Sequence, residues 1–578
     1  MDYAAEQKTS GREPVYIIEL DLDFCDLVHG VGACSSTETT GNECYNTLNT
    51  CHVTDDYDKT TKTIRLCSNI PGLPFTELDA FPCIESVNIS PPTINPGNSL
   101  GVFGDVNITL SDFPHDDVGI DPYYANRSYT PFDIGTFFGK LHARNEFFTN
   151  RPMRVKVGYI SQTGLDLVND FRTYLFFIEE LNPPNSRQKV TIKGKDIFRI
   201  TEKTMFPEVT DSELATAATS TATTLNITRI DSLASSGRVQ INDEIIIYTG
   251  KSGDTITGCT RGADGSTADE HDAGDSVQQC YHCSARPVED VLEDLCLAAG
   301  IDSSYLPTTD WATYAATWFS GYNLTTTIGK PEKIKDLISE LVRDTLIMPY
   351  WNPIDAEITL SGFVPPLTNL AESVNDTDNI IKGSMSVRRM TSEQITQKVI
   401  HFGLRDYSQK VEEENCSFHF ISDDADAASA DQYGSIKSDA IVSRWFTAAN
   451  APQALTTISR MRTQRTKPPL LVKFKIDAKD EDKVKTALGI ELTARNIQGV
   501  TGAAEPTQMQ VISSKHIERG DQFEITAIST GFNKRMAFIA PAGLSDYNLE
   551  SETNRQKYAF ISDASGKMSD GTDAYRII

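Results

Sequence analysis

Four cysteines near the start of the chain, Cys25, Cys34, Cys44 and Cys51, are the residues whose type and spacing could do chemistry. Eight, nine and six residues separate them, and Gly30, Gly32 and Gly41 let the intervening backbone turn back on itself. Four thiolates gathered by one folded loop suit tetrahedral zinc or an iron–sulfur cluster, and ligand softness does not choose between the two. The gaps are wider than the CxxC pairs of most zinc ribbons. Cys67 and Cys83 follow at steps of sixteen, so either could replace one ligand, Cys67 first. Disulfides, or simply small buried thiols, are the other readings of the same residues. A metal here would be structural, pinning a polar loop with too few apolar groups to fold alone.

Cys280-Tyr281-His282-Cys283 is a true CxxC and a weaker second metal candidate. One such pair is half a zinc site, with Cys259 and Cys296 nearest in sequence. The βαβ setting of a redox CxxC is absent. Gly250-Lys251-Ser252 resembles the end of a phosphate loop, but the glycine that motif needs is Ile245. There is no HExxH and no GxSxG, and no residue is assigned a catalytic role. Acidic pairs such as Asp116-Asp117 and Glu412-Glu413-Glu414 read as solvated faces.

The elements that must position these residues are mostly strands. Val15–Asp23 passes from an apolar run into alternation, and strands recur at Thr63–Leu66, Ile84–Ile89, Val106–Ser111, Met153–Ile160, Thr173–Glu179 and Val190–Asp196. They predict one antiparallel sheet or barrel, with a turn near Ser161–Gly164 and the cysteines in a loop excursion. The run Ala215–Thr224 marks a boundary before a compact strand-and-turn unit. Val288, Val291, Leu292 and Leu295 fall at helical spacing before Gly300, and Pro331–Asp344 and Pro452–Arg465 predict two further helices. A helical stretch is also expected before Arg444. Strands are expected at Leu470–Asp477, Gln508–Ile512 and Asp521–Ile528.

The fold class expected is α+β, mainly β, multidomain. The expected division is an N-terminal arm at 1–14 and a β domain at 15–208 with its Cys-rich loop at 25–83. A small inserted β domain follows at 209–279, an α+β domain at 280–365, a second β-rich domain at 366–543 and a C-terminal arm at 544–578. A length of 578 residues suits several domains. The net charge of −27 argues against gripping nucleic acid by its phosphates and against docking on an anionic membrane. No apolar run is long enough to span a bilayer, and the first residues lack the pattern of a secretory signal.

The stretch Arg238–Val277 resembles a small β-module of phage tail-tip and tail-fibre proteins. The matching residues are Gly237, Val239, Ile241 and Glu244, then Tyr248-Thr249-Gly250, Thr255–Gly262 and His271-Asp272-Ala273-Gly274. The remainder is similar to the baseplate or tail-tip hub proteins of long-tailed, siphovirus-like phages and of gene transfer agents. That likeness rests on strand-rich segments split by a helical unit, on Gly403-Leu404-Arg405-Asp406-Tyr407 and on Lys557–Ser562. The cysteine set is similar, in its first and last gaps, to that of the lambdoid minor tail proteins with an iron–sulfur cluster. Its middle gap is shorter and it lies nearer the N-terminus.

The resemblance implies tail-tube-like barrel domains and a homotrimeric ring in the virion, at the tail tip, assembled in the host cytoplasm. Implied partners are the distal tail protein, the tail tube or tape-measure protein, and tip or fibre proteins. It implies a [4Fe-4S] cluster on Cys25, Cys34, Cys44 and Cys51, with zinc as the alternative, DNA passage through an acidic lumen, and no enzymatic activity. A surface-attached hydrolase or adhesin with metal-stapled loops is the alternative function.

Overall fold

A computed structural model describes residues 3–9, 14–70, 73, 78–95, 99–159, 166–362, 372–423, 436–517, 521–530, 538–539, 551 and 558–559. The chain is mainly β, a multidomain α+β fold. Seven strands form the first body: β1 (Pro14–Cys25), β2 (Lys59–Ser68), β3 (Ala80–Ser90), β4 (Asp105–Ser111), β5 (Pro152–Tyr159), β6 (Phe171–Leu181) and β7 (Lys189–Lys195). They close into a barrel in the order β1-β2-β3-β4-β7-β6-β5. Neighbours are antiparallel except β2 and β3, which run parallel with Arg65 opposite Ala80. Ile18, Leu20 and Leu22 of β1 enter the barrel core with Met153 and Phe176. Val15 and Ile17 pack on the other face, against Cys67 and Phe171. Burial on both faces is why β1 begins as an unbroken apolar run.

Two helices flank this body. The one-turn helix α1 (Tyr3–Glu6) lies in the expected N-terminal arm but is docked: Tyr3 stacks on Tyr159 with ring centroids 5.5 Å apart, and Gln7 Nε2 donates to Glu481 Oε2 at 2.7 Å. The helix α2 (Phe137–Arg144) adds Phe137, Phe138 and Leu141 to the barrel core. After β7, Asp196 is almost wholly buried and accepts from Gly104 N at 2.5 Å and Phe198 N at 3.1 Å, starting a short 3-10 turn.

The second body is small. Strands β8 (Thr224–Asn226), β9 (Gly237–Ile241), β10 (Glu244–Tyr248), β11 (Gly250–Ser252), β12 (Thr255–Thr257), β13 (Thr260–Ala263) and β14 (Gln278–Gln279) make two sheets, β8-β12-β11 and β13-β10-β9-β14. Val239, Ile241, Ile246, Tyr248, Ile256 and Val277 share its core. Within the small-residue run at Ala215–Thr224, Ala218 bridges His271 and Thr224 opens β8, and Leu214 just before it bridges Ile227. Glu213 pairs with Ser276, so the chain enters and leaves this unit side by side.

Beyond it, β15 (Tyr281–Pro287) pairs with β16 (Asn323–Ile328) and β17 (Ile347–Asn352) with β18 (Glu357–Gly362). The helices α3 (Val288–Ala298), α4 (Thr308–Trp318) and α5 (Ile334–Thr345) pack with them. The four apolar residues at helical spacing in α3 are all fully buried, and Gly300 takes a positive φ just past its end.

The last described part holds β19 (Glu372–Asn375), β20 (Ser386–Arg389), β21 (Gln397–Leu404), β22 (Cys416–Asp423), β23 (Ser438–Ser443), α6 (Ala451–Arg465), β24 (Leu470–Asp477), β25 (Gly489–Thr493), β26 (Thr507–Ile517) and β27 (Gln522–Ser529). A six-stranded sheet runs β19-β25-β26-β27-β24-β20, and a three-stranded one β22-β21-β23. Ile400, Phe402, Trp445, Ile458 and Met461 share the core of α3–α5, so that core crosses position 365/366. The helical stretch expected before Arg444 is the strand β23: Ile441 is buried there on a short alternating pattern. The turn at Ser161–Gly164 lies outside the described residues, as does nearly all of 544–578. Among the described residues no helix is long and apolar enough to cross a membrane.

Candidate functional sites

The cysteine loop leaves the barrel at the end of β1. Cys25 N donates to Asn46 O at 2.7 Å, closing the base of the excursion. The four thiols share one neighbourhood. Burial raises the Cys44 pKa; a backbone hydrogen bond at Asn46 opposes this, and the Cys51, Cys25 and Cys34 thiols add to the rise. Burial, Asp23 and then Cys25 push the Tyr57 hydroxyl up to about 12.

The expectation of metal binding or an iron–sulfur cluster is nevertheless corrected. Among the described residues no three His, Cys, Asp or Glu side chains are grouped so as to hold a metal ion. The thiols have other partners: Cys44 Sγ lies 3.5 Å from Asn46 Oδ1 and Cys51 Sγ 3.2 Å from Val53 O. All eleven cysteines are free. Cys67 is fully buried in the apolar layer outside β1, and Cys83 belongs to the barrel core. Cys280 Sγ lies 3.8 Å from Gln278 O and Cys283 Sγ 3.7 Å from Leu324 O, and burial raises both pKa values, that of Cys280 to about 12.

What orders the loop is a pair of arginines from elsewhere in the chain. The Arg127 and Arg144 guanidinium carbons lie 3.9 and 4.1 Å from the Tyr45 ring centroid. Arg127 donates to Glu43 O at 2.6 Å and Cys44 O at 3.0 Å while pairing with buried Asp121 through Nε and Nη2. Arg144 and Lys140 both reach Asp117 at 2.6 Å. Asp117 is fully buried, so half of the Asp116-Asp117 pair is an internal counter-charge rather than a solvated face. Tyr45 Oη meets Tyr129 Oη at 2.8 Å, and His29 N donates to Tyr123 Oη at 2.7 Å. Each cation–π contact contributes about 0.5–2 kcal/mol, more where water is excluded.

The module signature resolves into one buried network. Glu244, 1% exposed, accepts from Arg261 Nη2 at 2.6 Å and Nε at 2.9 Å, Gly262 N at 2.8 Å and Asp269 N at 3.1 Å, with His271 Nε2 at 2.7 Å. Burial works to raise the Glu244 pKa, but these partners together hold it below the usual carboxylate range. Lys251 Nζ donates to Ile230 O at 2.8 Å and Leu233 O at 2.6 Å, so it ties loops rather than facing a phosphate.

The module is seated on the α+β part by the Gly403–Tyr407 segment. Gly265 takes φ +86°, and a Cβ there would stand 1.7 Å from Arg405 O. Tyr407 N donates to Asp264 O at 3.2 Å; Asp264 Oδ2 accepts from Arg238 Nε at 2.7 Å and Thr327 Oγ1 at 2.6 Å. The segment singled out in the sequence is therefore a docking shelf. Sequence reasoning missed an open cleft of about 320 Å³ beside it, lined by His401, Arg405, Glu413, Cys416, Phe418 and His419. His401 and His419 face each other across β21 and β22, rings 5.7 Å apart.

No family model and no curated protein matches the chain. Solved structures similar to it include the tail protein from Neisseria meningitidis MC58, at 9% identity and TM-score 0.37, covering 77% of this chain and 92% of that one. The 43 kDa tail protein of prophage MuSo2 from Shewanella oneidensis is similar at 9% identity and TM-score 0.35, covering 77% and 93%. The prophage tail protein gp18 from Listeria monocytogenes EGD-e is similar at 10% identity and TM-score 0.28, covering 66% and 86%. Likeness at this level does not establish a family.

Proposed function

We propose that this chain is a structural hub at the distal end of a phage-type tail, without catalytic function. The observation that supports it is the pairing, in one chain, of a closed seven-stranded barrel and a six-stranded sheet, each with its own apolar core, around an α+β unit. Three copies of such a chain offer six β bodies, the number that continues a sixfold tube. The division into a tube-like β domain, a module at 209–279, an α+β domain and a second β-rich domain belongs to this proposal. A net charge of −27 per chain, tripled in a ring, repels DNA phosphates and lets the genome pass without sticking. The ring would sit between distal tail protein and tube or tape-measure protein on one side and tip or fibre proteins on the other. It would form in the host cytoplasm and stay in the virion.

An electron-microscopy map of intact particles, with the native mass of the purified assembly, tests this. Threefold density fitting the barrel at the tube end is expected. A monomer that joins no tail protein would overturn it.

A further inference from the structure

Among the strands that end a sheet in the described residues, two differ from each other in a way that matters. The first is β22, which pairs only with β21. Ser417, Phe418, His419, Ile421 and Asp423 are exposed along it, with Phe418 at 45% and Ile421 at 51%. The second is β20, which pairs only with β24 and is exposed at all four residues, Ser386-Val387-Arg388-Arg389. Each has unpaired backbone donors and acceptors, which is a template for adding a strand. Most exposed edges are blunted by charge or shortness; β22 instead presents large apolar side chains over eight residues.

The two edges differ in charge. Arg388 and Arg389 stand on β20, whereas β22 ends in Asp423 and is preceded by Glu412, Glu413 and Glu414. Set parallel, Val387 falls opposite Ile421 and Arg389 opposite Asp423, and both pairs lie on one face because they are two residues apart on each strand. We propose that β22 is the docking edge for a second copy of this chain, which adds its β20 strand in this register. The contact is head-to-tail, since β20 of one copy meets β22 of the next. Such a contact closes into a ring when the rotation permits. The pairing rests on the ring reading above only for the number of copies.

The test uses the full chain. Val387→Cys and Ile421→Cys are made as separate variants, mixed and oxidised. A disulfide-linked dimer is expected from the mixture and from neither variant alone. At protein concentrations on the order of 10 μM, Arg389→Asp or Asp423→Arg weakens self-association by about tenfold or more, and combining both in one chain restores it. Restoration by the double variant separates a lost contact from a lost fold. Self-association unaffected by either charge reversal, with no cross-link in the mixture, overturns the edge pairing and leaves the ring standing. A chain monomeric at all concentrations and present as one copy per tail overturns both. Protection from hydrogen exchange, in the monomer, of those β22 amides that do not bond to β21 overturns the pairing, because that edge is then already held.

Discussion

The Glu244 network of the module gives the strongest quantitative prediction. Glu244→Gln keeps the side chain's size but replaces an acceptor by an NH2 group among four N–H donors of Arg261, Gly262 and Asp269 and the ring nitrogen of His271. The guanidinium stays buried with its carboxylate counter-charge gone and only the Thr219 and Asp269 carbonyls left to accept from it. Breaking a buried pair in this way costs ~3–5 kcal/mol. A body of this size is stable by roughly 3–10 kcal/mol at ~0.05–0.15 kcal/mol per residue, so the loss removes most of its margin. Hydrogen exchange of the full chain reads it directly. Amides of β9 and β10 should exchange about a hundredfold to a few thousandfold faster, since each 1.4 kcal/mol is a factor of ten, while β1 and β6 are unchanged.

The same carboxylate sets a pH dependence. Its folded pKa lies below its unfolded value, so its contribution is present above an unfolded pKa of about 4.3 and is lost as pH falls through the folded value. The wild-type module should therefore loosen in acid, and the Gln variant should lack that dependence. A Gln variant whose β9 and β10 exchange within tenfold of wild type, with the same acid profile, would refute the network as the module's main support.

Three other expectations follow from the geometry. Gly265→Ala adds ~1–2 kcal/mol of left-handed strain besides driving a Cβ into Arg405 O; limited proteolysis should then release the module while its own β9 and β10 amides stay protected, and unchanged cleavage would count against the shelf. Arg127→Leu leaves Asp121 buried without its partner and takes one guanidinium from Tyr45; exchange across 26–58 should rise by at least about a hundredfold, at ~3–5 kcal/mol, with the barrel intact. Asp196, pushed up to about 7 by burial, binds more protons folded than unfolded, so stability should fall as pH rises from about 4 towards 7; the Asp196→Asn protein should lose that slope in urea midpoints measured at pH 5 and 8.

The parts of the fold legible in the sequence are those held by local pattern. Leu470–Asp477 alternates and is β24 to the residue, and α3 follows from four apolar positions at helical spacing. The helix α4 was not foreseen, because only Trp311 and Ala315 of its Thr- and Ala-rich run are buried. The strand β22 was missed because the face it packs inward mixes Cys416, exposed Phe418, Phe420 and Ser422 while apolar Ile421 lies on the exposed face, so no apolar–polar alternation marks it. The Cys-rich loop was found, but the cysteines suggested a metal, whereas Arg127 and Arg144 lie some eighty to a hundred positions from Tyr45 and nothing local connects them. In the module, Glu244, Arg261 and His271 were visible as a pattern, and only the fold shows that they touch.

The parallel seam between β2 and β3 is a matter of parity. Going once around a closed ring of strands, direction reverses at every antiparallel contact and must return to where it began. Seven strands cannot satisfy this with seven reversals; six reversals and one continuation are the nearest solution. This barrel therefore cannot gain or lose a single antiparallel strand and remain closed without recruiting a second like-directed pair or giving up its existing one. Changes that preserve closure come in twos, as whole hairpins. Sequence variation in strand number among barrels built on this plan should be even, with the β2–β3 seam kept as the fixed point around which it occurs.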